Sequence, residues 1–208
     1  MSGVETSYSG YLLMTYKLQP SDLYSLEQYS RIRGSFREQV MAHKQLRTVH
    51  IGPNVTWIFE DRMTIQYQVQ EMLRVERIFE EKGIQDELDA YNPLIPDGSN
   101  WKVTFLIEFP DVDERRVALA QMKNVEDRCW VQIGTQARVF AIADEDMERS
   151  NDDKTSSVHF LRFELTAEMA KAAQTGAALS MGIDHPAYQQ VLNPVTEPVR
   201  AVLVKDLL

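Results

Sequence analysis

Residues 59–79 read FEDRMTIQYQVQEMLRVERIF, and the fold class turns on whether this run is a helix. Asp61 stands where an N-cap belongs, with Thr64 and Gln66 just inside it. No Gly or Pro interrupts the run before Gly83, so the spacing predicts one helix reaching towards that stop. At about 100° per residue, Ile65, Val69, Met72, Leu73, Val75 and Phe79 share one broad apolar face. Glu76 falls near the middle of that face. A carboxylate in such a place must be paired, protonated or metal-bound. Glu71 and Arg74, three apart, read as a helix-surface pair.

The preceding segment has the same feature. A helix starting at Pro20-Ser21-Asp22 and running to Leu46 carries the stripe Tyr29, Ile32, Phe36, Val40, and the next position in that series is His43. Arg47 follows four residues later on the same side. If the two helices share a core, His43 meets Glu76. The pair is then either a core hydrogen bond that fixes the helices or the start of a metal or acid–base centre. His with carboxylate suits iron, manganese or zinc, and a desolvated Glu gains a raised pKa useful in proton transfer. Two residues do not make a metal site. Glu108 and His159 are the candidates for further ligands.

Outward from the helices, β-rich runs predominate. Thr48–Ile51 and Val55–Phe59 flank Gly52-Pro53-Asn54 and predict a hairpin, with His50 facing outwards. A short helix, 84–90, precedes the apolar loop Tyr91-Asn92-Pro93-Leu94-Ile95-Pro96, where Tyr91 and Asn92 are candidates to line a pocket. Trp101, Val103, Phe105, Ile107 and Phe109 alternate along a strand, and a helix follows over 113–122. Residues 129–133 and 137–143 read as a hairpin around Gly134. Residues 144–156 (DEDMERSNDDKTS) form a polar, mostly acidic loop. In the strand 158–165, His159 shares the more apolar face with Leu161, Phe163 and Leu165. After it come a helix 167–174, a strand 179–183, a short helix capped by Asp184 with His185 on the surface, and a last strand 199–204. Strand–helix–strand thus occurs twice, with FLIEF at 105–109 and FLRFE at 160–164 as a weak sign of duplication.

These elements predict an α+β fold, a mainly antiparallel sheet with two long helices packed on one face. A flexible tail is expected over 1–20, then one domain over 21–208, with a helical half (21–97) and a sheet-rich half (98–208). A chain of 208 residues is ample for a hydrophobic core. The net charge of −9 argues against nucleic-acid or anionic-membrane partners. It leaves room for a local basic patch in which Arg37, Lys44, Arg47 and Arg74 bind an anion or small molecule. Cys129 is the single cysteine, which rules out an internal disulfide and fits a cytoplasmic setting. It reads as a small buried residue. The apolar run 10–14 is too short for a signal peptide, and no run is long enough to span a membrane. There is no G-x-G-x-x-G, Walker loop, H-E-x-x-H or G-x-S-x-G.

FREQVMAHKQLRTVHIGP (36–53), TIQYQVQEMLRVERI (64–78), ELDAYNPLIPDG (87–98) and DHPAY (184–188) together resemble a bacterial family of uncharacterised proteins, the domain of unknown function 3501. The resemblance covers nearly all of the chain beyond the first 20 residues and brings no activity with it. It implies a redox or oxidative-stress setting, with rubrerythrin-like di-iron proteins and iron–sulfur or flavin oxidoreductases as expected partners. The chain lacks cysteines for a cluster of its own and the paired E-x-x-H motifs of ferritin-like bundles. Three roles follow as expectations: an accessory or binding partner in that setting, a metal-dependent redox-linked enzyme using a buried His/Glu site, and an anion or small-molecule binder.

Overall fold

The computed structural model describes residues 17–151 and 153–208. The expected tail and the apolar run 10–14 lie outside the described residues up to Lys17. Leu18, inside the expected tail, is a core residue. In chain order the elements are α1 (Leu26–Gln45), β1 (Thr48–His50), β2 (Val55–Phe59), α2 (Arg62–Glu76), α3 (Glu81–Tyr91), β3 (Asn100–Ile107), α4 (Val112–Gln121), β4 (Cys129–Ile133), β5 (Val139–Phe140), β6 (Ile142–Ala143), β7 (Val158–Glu164), α5 (Ala167–Gln174), β8 (Leu179–His185), β9 (Tyr188–Leu192) and α6 (Glu197–Leu203). The fold is α+β, and among the described residues every strand pairing is antiparallel. The strands form two sheets, ordered β1-β2-β3-β7-β6 and β5-β4-β8-β9.

The chain divides into two compact units, Met1–His43 with Glu60–Asp97, and Lys44–Phe59 with Gly98–Leu208. The hairpin β1–β2 therefore belongs with the sheet-rich half, because β2 pairs along its length with β3. In the first unit the stripe of α1 is buried as its spacing requires: Tyr29, Phe36 and Val40 pack with Met63 and Tyr67. Ile65, Val69 and Leu73 of α2 form a second core with Leu18, Leu88 and Ile95. Asp61 caps α2, accepting from Thr64 N at 3.0 Å, and Thr64 Oγ1 accepts from Asp61 N in return.

The long helix is shorter than its spacing predicts. Arg77 adopts the left-handed conformation (φ 56) and ends α2 well before Gly83. The apolar face then stops at Leu73. Val75 and Phe79 are 61% and 69% exposed, and Glu76 is exposed with them. Hydrophobic spacing alone gave no sign of a stop supplied by an arginine.

In the second unit one core fills the space between the inward rows of both sheets, with Leu119 and Met122 at the α4 end, Ala170 and Ala173 of α5, and Leu203 of α6 packed against them. The duplication is real in topology. The units β3–α4–β4 and β7–α5–β8 each give one strand to each sheet, with β3 on β7 and β4 on β8. The quoted pentapeptides are not equivalent, however. The register pairs Phe105 with His159 and Phe160 with Thr104, so the two runs are one residue out of phase. Phe105 is buried in the core, whereas Phe160 lies half-buried on the other face.

Two elements change type. The short helix expected from Asp184 (DHPAYQQVL, 184–192) is the β8–β9 hairpin, its turn tightened by Ala187 N donating to His185 Nδ1 at 3.1 Å. His185 is buried, with Nε2 at 2.9 Å from Lys123 O, so its N–H donates there. The expected last strand is α6, where Pro198 sits in the first turn, a place that needs no N–H. Short apolar runs such as 199–204 do not separate strand from helix by periodicity. At the β1–β2 turn, Gly52 has φ +76, and a Cβ there would lie 2.6 Å from the Tyr188 hydroxyl. That hydroxyl donates to Ile51 O at 2.7 Å and accepts from Asn54 N, fixing the turn to β9.

Candidate functional site: a buried histidine–carboxylate cluster

The alternation of β7 aims His159 inwards, beside Leu161 and Phe163, and its ring is fully buried against Phe105, its register partner on β3. A buried imidazole needs partners at both nitrogens. They come from three places. Asp144, just past β6, takes the left-handed conformation (φ 49), which turns its carboxylate back onto β7. Its Oδ2 lies 2.6 Å from His159 Nδ1, and its Oδ1 accepts from Phe160 N at 3.0 Å. On the other side of the ring, Nε2 lies 2.9 Å from Thr155 Oγ1 and 3.1 Å from Ser156 O. The short helical turn Glu126–Arg128 before β4 supplies Glu126. Its carboxylate accepts from Ser150 Oγ at 2.8 Å and Thr155 Oγ1 at 3.2 Å, and its Oε2 lies 3.8 Å from His159 Nε2.

Proton counting constrains this network. Nδ1 faces a carboxylate and Nε2 faces a backbone carbonyl, so both nitrogens face acceptors. Thr155 has one hydroxyl proton, and when it goes to Glu126 its oxygen is free to accept from Nε2. One ligating atom each of Glu126, Asp144 and His159 lies within 4.8 Å of the others. Arg149 closes the outer side of Asp144: it reaches Asp144 Oδ1 at 3.4 Å, forks onto Asp146 at 2.5 and 2.7 Å, and lies 4.6 Å over the Phe160 ring. Cys129 is nearby in the chain. Burial pushes its thiol well above the usual value, the Glu126 and Asp127 charges adding to the effect, and it donates to Val125 O. It is the inert buried residue that its strand position implies.

The residues singled out by spacing do not gather into one centre. His43 and Glu76 belong to the first unit, and Glu108 and His159 to the second. His43 Nε2 lies 2.5 Å from Asp61 Oδ2, so its partner is the N-cap of α2 and not Glu76. Glu108, past the end of β3, is exposed and accepts from Thr56 Oγ1 at 2.5 Å. Asn92 is buried, and its amide is used in both directions by the backbone of Leu18, at 2.7 and 3.0 Å. That leaves it a structural clamp, with Tyr91 packed against the same core.

A model of the family described as "Protein of unknown function (DUF3501)" matches residues 17–207. The chain belongs to the DUF3501 family. Its fold is also that of a crystal structure of a protein of unknown function from Burkholderia pseudomallei, 48% identical, which aligns over 92% of this chain and 99% of that one with a TM-score of 0.87. Among curated proteins none matches.

In this DUF3501 chain two of the four basic residues noted in the sequence stand in ion pairs. Arg47 is 2% exposed, pairs with Asp206 and donates through Nε to Phe59 O at 2.8 Å. Arg74 sits at 3.0 Å from Glu71. Arg37 is exposed and Lys44 half-buried. The Glu71 carboxylate is the centre of charge in the first unit: Arg33 grips it with Nε and Nη2 at 2.7 and 2.9 Å, and Tyr29 donates at 2.7 Å. Asp144 and Glu126 were the functional candidates that spacing missed. The available signal was His159 itself, a titratable ring on an apolar row that needed partners from the acidic segment beginning at Asp144. No helix of the described residues is long and apolar enough to cross a membrane.

Proposed function

We propose that this DUF3501 protein binds a divalent first-row cation between His159 Nε2 and Glu126, with Asp144 holding the ring from Nδ1. The observation that supports this is the convergence of one imidazole and two carboxylates, from three separate segments of the second unit, with their ligating atoms within 4.8 Å of one another. The separation of 3.8 Å between His159 Nε2 and Glu126 Oε2 is too long for a hydrogen bond. It lies within the span of about 4.2 Å available to two donors each bound at about 2.1 Å to one ion. Asp144 at Nδ1 then acts as the outer carboxylate that fixes the ring and raises its basicity as a ligand. Thr155 Oγ1 and the Ser156 carbonyl, both within 3.1 Å of Nε2, add oxygen donors. One imidazole among oxygens favours iron, manganese or zinc. The redox setting and a rubrerythrin-like or iron–sulfur/flavin partner are supported by the family resemblance and not by this geometry.

The test is metal content by mass spectrometry on protein purified without a polyhistidine tag, together with the melting temperature after adding Mn²⁺, Fe²⁺ or Zn²⁺. Near-stoichiometric metal is expected, lost in both Glu126→Gln and His159→Ala, with a rise in melting temperature by mass action in the native protein. A metal-free native protein whose melting is indifferent to all three ions, beside variants that are merely less stable, would leave the cluster a structural network.

A further inference from the structure

A second site, independent of the buried cluster, is built at the open end of the β1–β2–β3 sheet. A groove of about 640 Å³ is lined by His50, Pro53, Thr56, Glu108, Phe109 and Arg115, among others. His50 and Thr56 are register partners on β1 and β2, and both side chains stand on the sheet face away from the core. Glu108 is held beside them by a two-bond link to Asn54: Glu108 N donates to Asn54 O at 2.8 Å, and the Asn54 side-chain Nδ2 donates to Glu108 O at 3.1 Å. The side chains then form a chain. Thr56 Oγ1 donates its one proton to Glu108 Oε2 at 2.5 Å, so it can only accept from His50 Nδ1, 3.1 Å away. In the neutral ring this puts the proton on Nδ1 and leaves Nε2 as an acceptor. Among the described residues neither Nε2 nor Glu108 Oε1 has a donor.

Arg115 of α4 brings the opposite charge. Its Nη1 makes one long contact, 3.3 Å, to Phe109 O, and among the described residues no carboxylate pairs with it. Almost every other arginine in the second unit is paired. The groove thus combines an unpaired guanidinium with two acceptors, a carboxylate and an imidazole nitrogen, over a floor of Pro53, Phe109 and Ile107. An anion alone would meet Glu108, and a cation alone would meet Arg115. We propose that this groove binds a small zwitterion of the amino-acid class. Arg115 takes the carboxylate as a fork, and Glu108 and His50 Nε2 accept from the protonated amine.

The experiment follows the His50 ring signals by NMR in the full chain while glycine, β-alanine and γ-aminobutyrate are titrated in, with acetate and methylamine as single-charge probes. Saturable shifts are expected for at least one zwitterion, with acetate and methylamine each at least tenfold weaker. Arg115→Gln is expected to weaken the zwitterion to the level of methylamine, and Glu108→Gln to the level of acetate. His50 signals that ignore all five probes, or that respond to acetate as strongly as to the zwitterions, overturn the proposal. Equal binding in the Arg115→Gln variant does so too. Both substituted side chains are on the surface of the groove, and an unchanged amide spectrum checks that the variants are folded.

Discussion

Two histidine–aspartate pairs stand in the two units of this protein. His43 Nε2 lies 2.5 Å from Asp61 Oδ2, with the two side chains 31% and 19% exposed. His159 Nδ1 lies 2.6 Å from Asp144 Oδ2, with the ring wholly buried and the carboxylate nearly so. The contact is the same and the surroundings are not. At His43 water remains a partner for either group when the other is lost. At His159 the alternatives are the fixed partners of the network, Thr155 Oγ1, the Ser156 carbonyl and a second carboxylate, Glu126. A charge pair at about 4 Å is worth about 1 kcal/mol in water and about 4 at the effective dielectric of a partly buried site. Geometry alone would rank the two pairs equal, and surroundings rank them far apart.

The largest expected effect tests that ranking. His159→Ala leaves Asp144 and Glu126 buried without the ring between them. Breaking one side of such a network costs about 3–5 kcal/mol. In chelator-treated protein, urea midpoints should show a loss of this size for His159→Ala, with Asp144→Asn smaller because its amide oxygen can still accept from Phe160 N. The chelator matters, since it separates the network's own stability from any contribution of bound metal. A loss below about 1 kcal/mol would break the comparison, because burial would then add nothing to the pair.

How far this contrast was legible in the sequence depends on the residue. The strand period put His159 on the buried face, and the helix period put Tyr29, Phe36 and Val40 in a core, because both periods report burial directly. The same logic misplaced Glu76. It assumed that the helix continued, and the left-handed turn at Arg77 is a backbone choice that arginine does not announce. The repeated strand–helix–strand order was visible, while the phase of FLIEF against FLRFE was not. Partners were the least legible part. Asp144 and Glu126 reach His159 from 15 and 33 residues upstream (159 − 144 and 159 − 126) through irregular chain, and no spacing rule links such segments. His43 carried the opposite error: the stripe located it well, and its partner was the helix cap 18 residues on, not a residue of the next apolar face.

A middle case lies within the first unit. The Arg33 fork holds the Glu71 carboxyl down to about 2, Arg74 and Tyr29 helping and burial opposing. A folded value below the ordinary one contributes stability that is complete above the unfolded value near 4.5 and is lost as pH falls towards 2. The protection factors of the α2 amides, their exchange measured against that of an unfolded chain at the same pH, should therefore fall across that window. Glu71→Gln should remove the pH dependence and cost about 1–2 kcal/mol at neutral pH, less than a fully buried charge because Arg33 is partly in solvent. Protection factors in α2 that stay flat from pH 5 to pH 3 in the native protein would show that the fork adds nothing to the unit.

The smallest effect is at His43. The pair is half open, so His43→Ala should cost no more than about 0.5–1 kcal/mol. Asp61 has a second task, since its Oδ1 caps α2 through Thr64 N. Asp61→Ala should thus cost more than His43→Ala by about the worth of a cap, about 1 kcal/mol. A double-mutant cycle isolates the pair from the cap. Raising the salt from 0.1 M to 1 M, which shortens the screening length from about 10 to about 3 Å, should shrink the His43–Asp61 coupling and leave the His159–Asp144 coupling unchanged. Equal salt sensitivity at both would mean that water reaches His159, and the buried cluster would have to be understood as an open one.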